Sequence, residues 1–165
     1  MKARELMTSD PACCAPDDPV QRVAQLMADN DCGCIPVVAD GTDGRVIGVI
    51  TDRDIAVRGV AQGKGPDTRV RDVMTRDPFC CSLDADVKDV ERVMAERQVR
   101  RVVVIDDAGC CVGMIAQADL ARAAERTSDV SDVEVARVVE RISEPATDAG
   151  ERTTRGPGGA TELRL

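Results

Sequence analysis

The chain repeats itself, and this constrains its fold more than any other feature. Laid over itself at an offset of 67, Met7-Thr8 falls on Met74-Thr75, Asp10-Pro11 on Asp77-Pro78 and Cys13-Cys14 on Cys80-Cys81. Val20, Val23 and Met27 fall on Val87, Val90 and Met94. Past a two-residue insertion near Gly41 the offset becomes 65, and Gly48, Ile50 and Asp54 fall on Gly113, Ile115 and Asp119. A unit of ~60 residues is too small to bury its own faces. Two copies are therefore expected to pack on each other about a pseudo-two-fold axis and share one interior.

Each copy has the same local grammar. A short β-prone stretch follows the Asp-Pro. A helix comes next, with Asp17 or Asp18 as the expected N-cap and Pro19 suited to the first turn. Val20, Val23 and Met27 make one apolar stripe at helical spacing, as do Val87, Val90 and Met94. Two apolar runs follow, Ile35-Pro36-Val37-Val38 and Val102-Val103-Val104-Ile105, too short for helices and without alternation. Such runs read as strands buried on both faces. After a turn (40–44 and 106–109) come second strands, Val46–Ile50 and Cys111–Ile115. Helices are expected from about Asp52 to Val60 and from Gln117 to Glu125. The order is β-α-β-β-α, twice, an α/β (α+β) class.

The predicted boundaries are 1–62 for the first repeat, 63–69 for a linker and 70–127 for the second repeat. The linker belongs to a stretch from Gly59 to Arg69 that holds three glycines and a proline. A further helix is expected over 128–143, with Val135, Val139 and Ile142 on one face. From 144 to 165 the chain is polar and glycine-rich, and disorder is expected there.

Composition removes several function classes. The formal charge is −8. A nucleic-acid binder needs a basic stripe to displace counterions, and an acidic balance also opposes docking on an anionic membrane. No stretch is apolar over ~18 residues, and the start, MKARELMTSD, lacks the apolar core of a signal peptide. The reading is cytoplasmic, with neither nucleic acid nor membrane as a partner. There is no histidine, so the usual general base is missing. Gly63-Lys64-Gly65 lacks the strand and spacing of a phosphate-binding loop. Asp52 and Asp54 are more simply residues of a helix start than metal ligands. No constellation suggests chemistry, and the chain is expected not to be an enzyme.

The Met-Thr-x-Asp-Pro start, the Ile-Pro-Val-Val strand and Gly48-Val-Ile-Thr51-Asp-Arg-Asp54 resemble the CBS domain, over roughly residues 4–127 in both copies. Gln98-Val99-Arg100-Arg101-Val102 and Ala118-Asp119-Leu120-Ala121-Arg122 are similar to small stand-alone bacterial proteins with two such domains. The resemblance implies a regulatory CBS pair, often a disc-like homodimer. It implies binding of AMP, ATP or another adenosyl ligand between the repeats and signalling in trans to an unidentified protein partner, with no obligatory cofactor.

In that family the site pattern is Gly-h-h-Thr/Ser-x-x-Asp. A hydroxyl can donate to a phosphate and a carboxylate can accept from both ribose hydroxyls. The three-residue step places both on one side of a helix start, whose N–H groups favour an anion. The first repeat holds the whole set: Gly48, Thr51 and Asp54. By the resemblance, Phe79 and Val99 would flank the base, and Arg100 and Arg101 would clamp phosphates. The second repeat keeps Gly113 and Asp119 but has Ala116 in place of the hydroxyl. Its facing segments, near Ala12 and Cys32-Gly33-Cys34, carry no arginine pair. Two alternatives stand beside the nucleotide reading. Thr51 and Asp54 can simply cap the helix, leaving a homodimeric interaction or stress protein that binds no nucleotide. Alternatively, the eight cysteines form a thiol-based redox or metal sensor.

For the cysteines the simplest reading is packing: on a strand one thiol of each doublet points inward and one outward. As a zinc signal the pattern is weak, because the doublets diverge and only Cys32-x-Cys34 has a loop-like spacing. A disulfide from the first doublet to another segment stays open.

Overall fold

The computed structural model describes residues 1–39, 44–125 and 130–144. The expected first turn (40–43) and nearly all of the tail lie outside them. Elements in chain order are α1 (Ala3–Leu6), β1 (Thr8–Ser9), α2 (Val20–Asp29), β2 (Cys34–Val38), β3 (Val46–Thr51), α3 (Asp52–Asp54), β4 (Thr75–Arg76), β5 (Cys80–Ser82), α4 (Val87–Arg97), β6 (Arg101–Ile105), β7 (Cys111–Ala116), α5 (Gln117–Ala124) and α6 (Asp132–Ser143). The mixed α/β class is as the sequence implied; the strand expected after the Asp-Pro forms in the second repeat as β5, whereas in the first the same stretch makes only a single parallel bridge, Cys14 to Val37.

Two sheets form, β1-β7-β6-β5 and β2-β3-β4. The hairpins β2–β3 and β6–β7 are antiparallel, and each slips register at the same place, between Val37 and Val38 and between Val104 and Ile105. Buried on both faces, these strands alternate between two interiors. Ile35, Val37 and Ile50 face α2 in one core. Val102, Val104 and Ile115 face α4 and α5 in another. The intervening side chains, Cys34, Val49, Val103 and Met114, meet in a third cluster between the sheets. The two halves therefore do lean on one another through a shared apolar layer.

The duplicated start of each repeat is exchanged. β1, from the first copy, pairs with β7 of the second, and β4, from the second, pairs with β3 of the first. This accounts for the two aligned glycines. A Cβ on Gly113 would collide with Met7, and one on Gly48 would meet the Thr75 carbonyl oxygen at 2.8 Å and Met74 Sδ at 3.1 Å. Glycine is needed at position 48 so that the neighbouring strand and its methionine can close on the sheet. The duplicated Asp-Pro also has a backbone reason. Asp10 and Asp77 take left-handed φ of 49° and 50°. Aspartate tolerates that region, and a following proline disfavours the ordinary helical one.

Helix starts depart from expectation in one repeat. Neither Asp17 nor Asp18 caps α2; Pro19 stands at the N-cap. Asp18 instead accepts from Ala15 N at 2.8 Å and pairs with Arg22 at 2.6 Å. The linker supplies the missing acceptors: Val20 N donates to Thr68 O (2.8 Å) and Gln21 N to Pro66 O (3.1 Å). In the second repeat Asp86 is a true cap, accepting from Lys88 N at 3.1 Å. The N-terminal segment replaces the linker there, with Val87 N donating to Met1 O.

The expected helix from Asp52 is one helical run with three geometries. α3 opens into a π-helical stretch over Ile55–Gly59 and closes as a 3-10 turn over Val60–Gln62. The C-terminal helix forms as α6, but its buried face is Val135, Val138 and Ile142. Val139, expected inside, is 38% exposed. Val138 lies nearer the middle of the stripe at 3.6 residues per turn.

Candidate functional site

The end of β3 turns directly into α3, and a closed pair of hydrogen bonds fixes that turn. Asp54 N donates to Thr51 Oγ1 at 3.0 Å, and Thr51 N donates back to Asp54 Oδ2 at 3.0 Å. The Thr51 hydroxyl also donates to Asp54 Oδ2, at 2.7 Å. The second carboxylate oxygen, Oδ1, lies 3.5 Å from the Arg58 guanidinium one turn on. This is a capping box, so the capping role weighed from the sequence is present in the structure.

The second repeat builds half of the same device. Ala116 N donates to Asp119 Oδ2 at 2.7 Å, but no hydroxyl answers. Asp119 Oδ1 accepts instead from Arg122 Nη2 at 2.5 Å. Asp119 is 8% exposed, and each of its oxygens has a partner.

The strand starts opposite these turns set the electrostatics. Cys34 opens β2 and pairs with Thr51, and Arg101 opens β6 and pairs with Ala116. Cys34 is 5% exposed, and burial pushes its thiol up to about 12. Arg101, from the other repeat, acts against that rise; Asp54 and Asp52 add to it. Among the described residues, neither Arg100 nor Arg101 has a carboxylate within 4.0 Å. Arg100 is exposed and Arg101 half-buried.

The remaining candidates are more scattered. Phe79 is half-buried, with the Arg97 guanidinium 5.4 Å from its ring centroid, and its carbonyl accepts from Val103 N. Val99 closes the end of α4 by donating to Met94 O at 3.1 Å, and packs on the second core. Gly48 is placed by strand packing, as above. Cys34 was not singled out by sequence reasoning as part of this site. Its alignment with Arg101 at the same offset of 67 is the signal that marks it.

Two of the three doublets split into a buried and a half-buried thiol as expected, whereas Cys110 and Cys111 are both half-buried. Cys14 and Cys81 are buried, Cys13 and Cys80 half-buried. Burial pushes Cys14 and Cys81 up to about 12. Among the described residues no group of three or more histidine, cysteine, aspartate or glutamate side chains is arranged to hold a metal ion.

Two duplicated α/β units, exchanging their first strands and meeting through a cysteine-containing layer, define a tandem regulatory-type domain pair. The CBS domain model matches residues 3–59 and 70–126. The chain belongs to the CBS domain family. Hypoxic response protein 1 of Mycobacterium tuberculosis is 36% identical over 121 residues, covering 73% of this chain and 82% of that protein. The crystal structure of Hypoxic Response Protein I with two coordinated zinc ions superposes with a TM-score of 0.67 at 33% identity, covering 74% of this chain and 98% of that one. CBSX2 in complex with AMP gives a TM-score of 0.67 at 23% identity, covering 76% and 96%, a likeness of fold.

Proposed function

We propose that this chain is a non-enzymatic regulatory module whose first inter-repeat cleft takes an adenine nucleotide, AMP or ATP, or a related adenosyl ligand, and that it signals in trans to a protein partner. The observation that carries this reading is the Thr51–Asp54 turn at the end of β3, facing Cys34, whose thiol feels the charge of Arg101 from the other repeat, with Arg100 and Arg101 lacking a carboxylate among the described residues. Guanidinium groups without an internal counter-ion suit phosphate oxygens, and Asp54 Oδ1, only loosely held by Arg58, retains capacity to accept from a ribose. Phe79 and Val99 supply apolar surface for the base. Binding would shift the arrangement of the repeats only by its differential affinity for the two states. The Asp119 turn has Arg101 opposite Ala116 but lacks the hydroxyl, and both Asp119 oxygens are already engaged, so it is the weaker cleft.

Calorimetry with AMP, ATP, NADH and S-adenosylmethionine tests the reading. Binding of at least one is expected, weakened roughly tenfold or more by Arg101→Ala and by Asp54→Ala. Absence of heat with all four ligands refutes it. The closed Thr51–Asp54 box favours a second reading, a homodimer that binds no nucleotide and acts through its faces. Under it, sedimentation would report a dimer and Asp54→Ala would cost stability alone.

A further inference from the structure

We propose that the groove between α4 and α6 is a second ligand site, one that takes a small amino acid with an acidic side chain, its ammonium on Glu91 and its two carboxylates on Arg137 and Arg141. The two helices lie side by side and run the same way. Lys88 Nζ is 4.0 Å from Glu134 Oε1 near their starts, and at their ends Gln98 Nε2 donates to Arg141 O at 3.0 Å. Between these ties lies a groove of about 220 Å³, lined by Lys88, Glu91 and Arg92 of α4 and by Glu134, Arg137 and Arg141 of α6. All of these residues belong to the second repeat or to α6, so the groove is separate from the inter-repeat clefts. The CBS domain model ends at residue 126, and α6 lies beyond it.

Opposite charges stand close in this groove and do not meet. Glu91 is 6% exposed, and its Oε1 has no hydrogen-bond partner among the described residues. Among those residues no lysine or arginine nitrogen lies within 4.0 Å of its carboxylate. Lys88 reaches Glu134 instead, and Arg92 pairs with Asp89 at 2.9 Å. Arg137 and Arg141 have no carboxylate within 4.0 Å among the described residues. A buried acceptor left unpaired costs free energy and calls for a partner.

A molecule that carries both signs meets both needs. Its ammonium donates to Glu91, and each guanidinium offers a paired set of N–H bonds to a carboxylate. Arg137 and Arg141 are four residues apart, about 6 Å along α6, a spacing for two carboxylates on one molecule rather than for one. Ala95 and Val138 line the same groove and suit a short aliphatic stem. The volume is below the roughly 300–1,000 Å³ of sites for drug-sized ligands, so the groove suits a small molecule and not a nucleotide. The first repeat does not carry this set: at the positions of Lys88, Glu91 and Arg92 it has Gln21, Ala24 and Gln25.

The test is thermal shift and calorimetry on the full chain with L-glutamate and L-aspartate. At least one should raise Tm and bind. Glutarate, which lacks the ammonium, and L-alanine, which lacks the second carboxylate, should each bind at least about tenfold more weakly. Glu91→Gln, which keeps the shape and removes a buried charge, should stay folded and bind the amino acid no better than glutarate. Arg137→Gln and Arg141→Gln, at exposed positions, should each lose about tenfold, whereas Arg101→Ala in the inter-repeat cleft should change nothing. No shift with either amino acid overturns the proposal. Equal binding of glutarate or inorganic phosphate also overturns it, because the groove is then only a cationic patch. So does a preference for the amino acid that survives Glu91→Gln.

Discussion

The two repeats share a chain path and differ in what each has put at the same address. At the turn into the last helix the first repeat has Thr51 where the second has Ala116, and at the opposing strand start it has Cys34 where the second has Arg101. The first keeps a closed cap, the second half of one. The helical run also diverges. In the first repeat it loosens into a π-helical stretch and leaves Val57 and Val60 exposed, whereas in the second α5 is regular and α6 packs over it. The two copies share a backbone path, and their side chains differ so that the first turn holds a capped carboxylate facing a cysteine and the second a carboxylate facing an arginine.

The largest effect that can break this comparison lies in the two cores. Ile50 and Ile115 are equivalent and fully buried. Truncating either to alanine is expected to cost about 2–5 kcal/mol. Ile115→Ala should cost more, because α5 and α6 hold the second core in place while the looser first repeat can settle into the void. Urea denaturation measures both. A single transition in each variant is expected of repeats that share an apolar layer. Two separate transitions would show that the halves do not act as one unit, and a larger loss in Ile50→Ala would show that the first repeat is not the looser one.

Next in size are the glycines that admit the exchanged strands. Gly48→Ala and Gly113→Ala should each destabilise by about 1–3 kcal/mol. At Gly48 the obstacle is the backbone oxygen of Thr75, held in the β3–β4 ladder; at Gly113 it is the Met7 side chain. Met7→Ala should therefore rescue Gly113→Ala in part, while Met74→Ala should rescue Gly48→Ala far less. Thermal melts of the double variants decide it, and equal rescue on both sides would contradict the geometry.

Much of this was legible in the sequence. The repeat offset gave the element order, the Val–Val–Met stripes the inner faces of α2 and α4, and the unbroken apolar runs the doubly buried β2 and β6. The exchange of β1 and β4 was not, because self-comparison reports that two segments are alike and not which copy each one pairs with. Those strands are two residues long and carry little pattern. Asp18 misled for a different reason. A capping residue is only one way to satisfy helix N–H groups, and here linker carbonyls some fifty residues away did so. For the candidate site, Thr51 and Asp54 were placed correctly at the strand–helix turn, but that Cys34 is the buried residue opposite Thr51 needed the packed sheets.

The capping difference sharpens the comparison at smaller scale. Thr51→Ala should lose about 0.5–2 kcal/mol, and Ala116→Thr should recover part of such a cap in the second repeat. Stability should thus move in opposite directions for reciprocal changes at equivalent positions. If Ala116→Thr also raises affinity for an adenine nucleotide in calorimetry, the missing hydroxyl is what weakens the second cleft. If it stabilises without changing affinity, the hydroxyl serves the helix alone.

The smallest predicted effect concerns a carboxylate that only the second repeat buries. Glu91, on α4, is 6% exposed, and its Oε1 has no hydrogen-bond partner among the described residues. Burial raises its pKa above the ordinary glutamate range, with Glu134 of α6 adding to the rise and Lys88 opposing it. A folded-state pKa raised above the unfolded value means the native protein holds the proton more tightly. The stability this confers is complete below about pH 4.3, the unfolded value, and is lost as pH rises through the folded pKa. At neutral pH the charged form is a burden on the α4–α6 contact. Glu91→Gln should therefore raise stability at pH 7–8 by about 1 kcal/mol and flatten the slope between pH 4 and neutrality. The first repeat has Ala24 at the aligned position, so Ala24→Glu offers the reverse experiment. Position 24 is exposed and has no α6 over it, and Ala24→Glu should leave both Tm and its pH dependence almost unchanged. A large loss in Ala24→Glu, or no gain in Glu91→Gln, would mean that the cover of α6 does not set the difference between the two repeats.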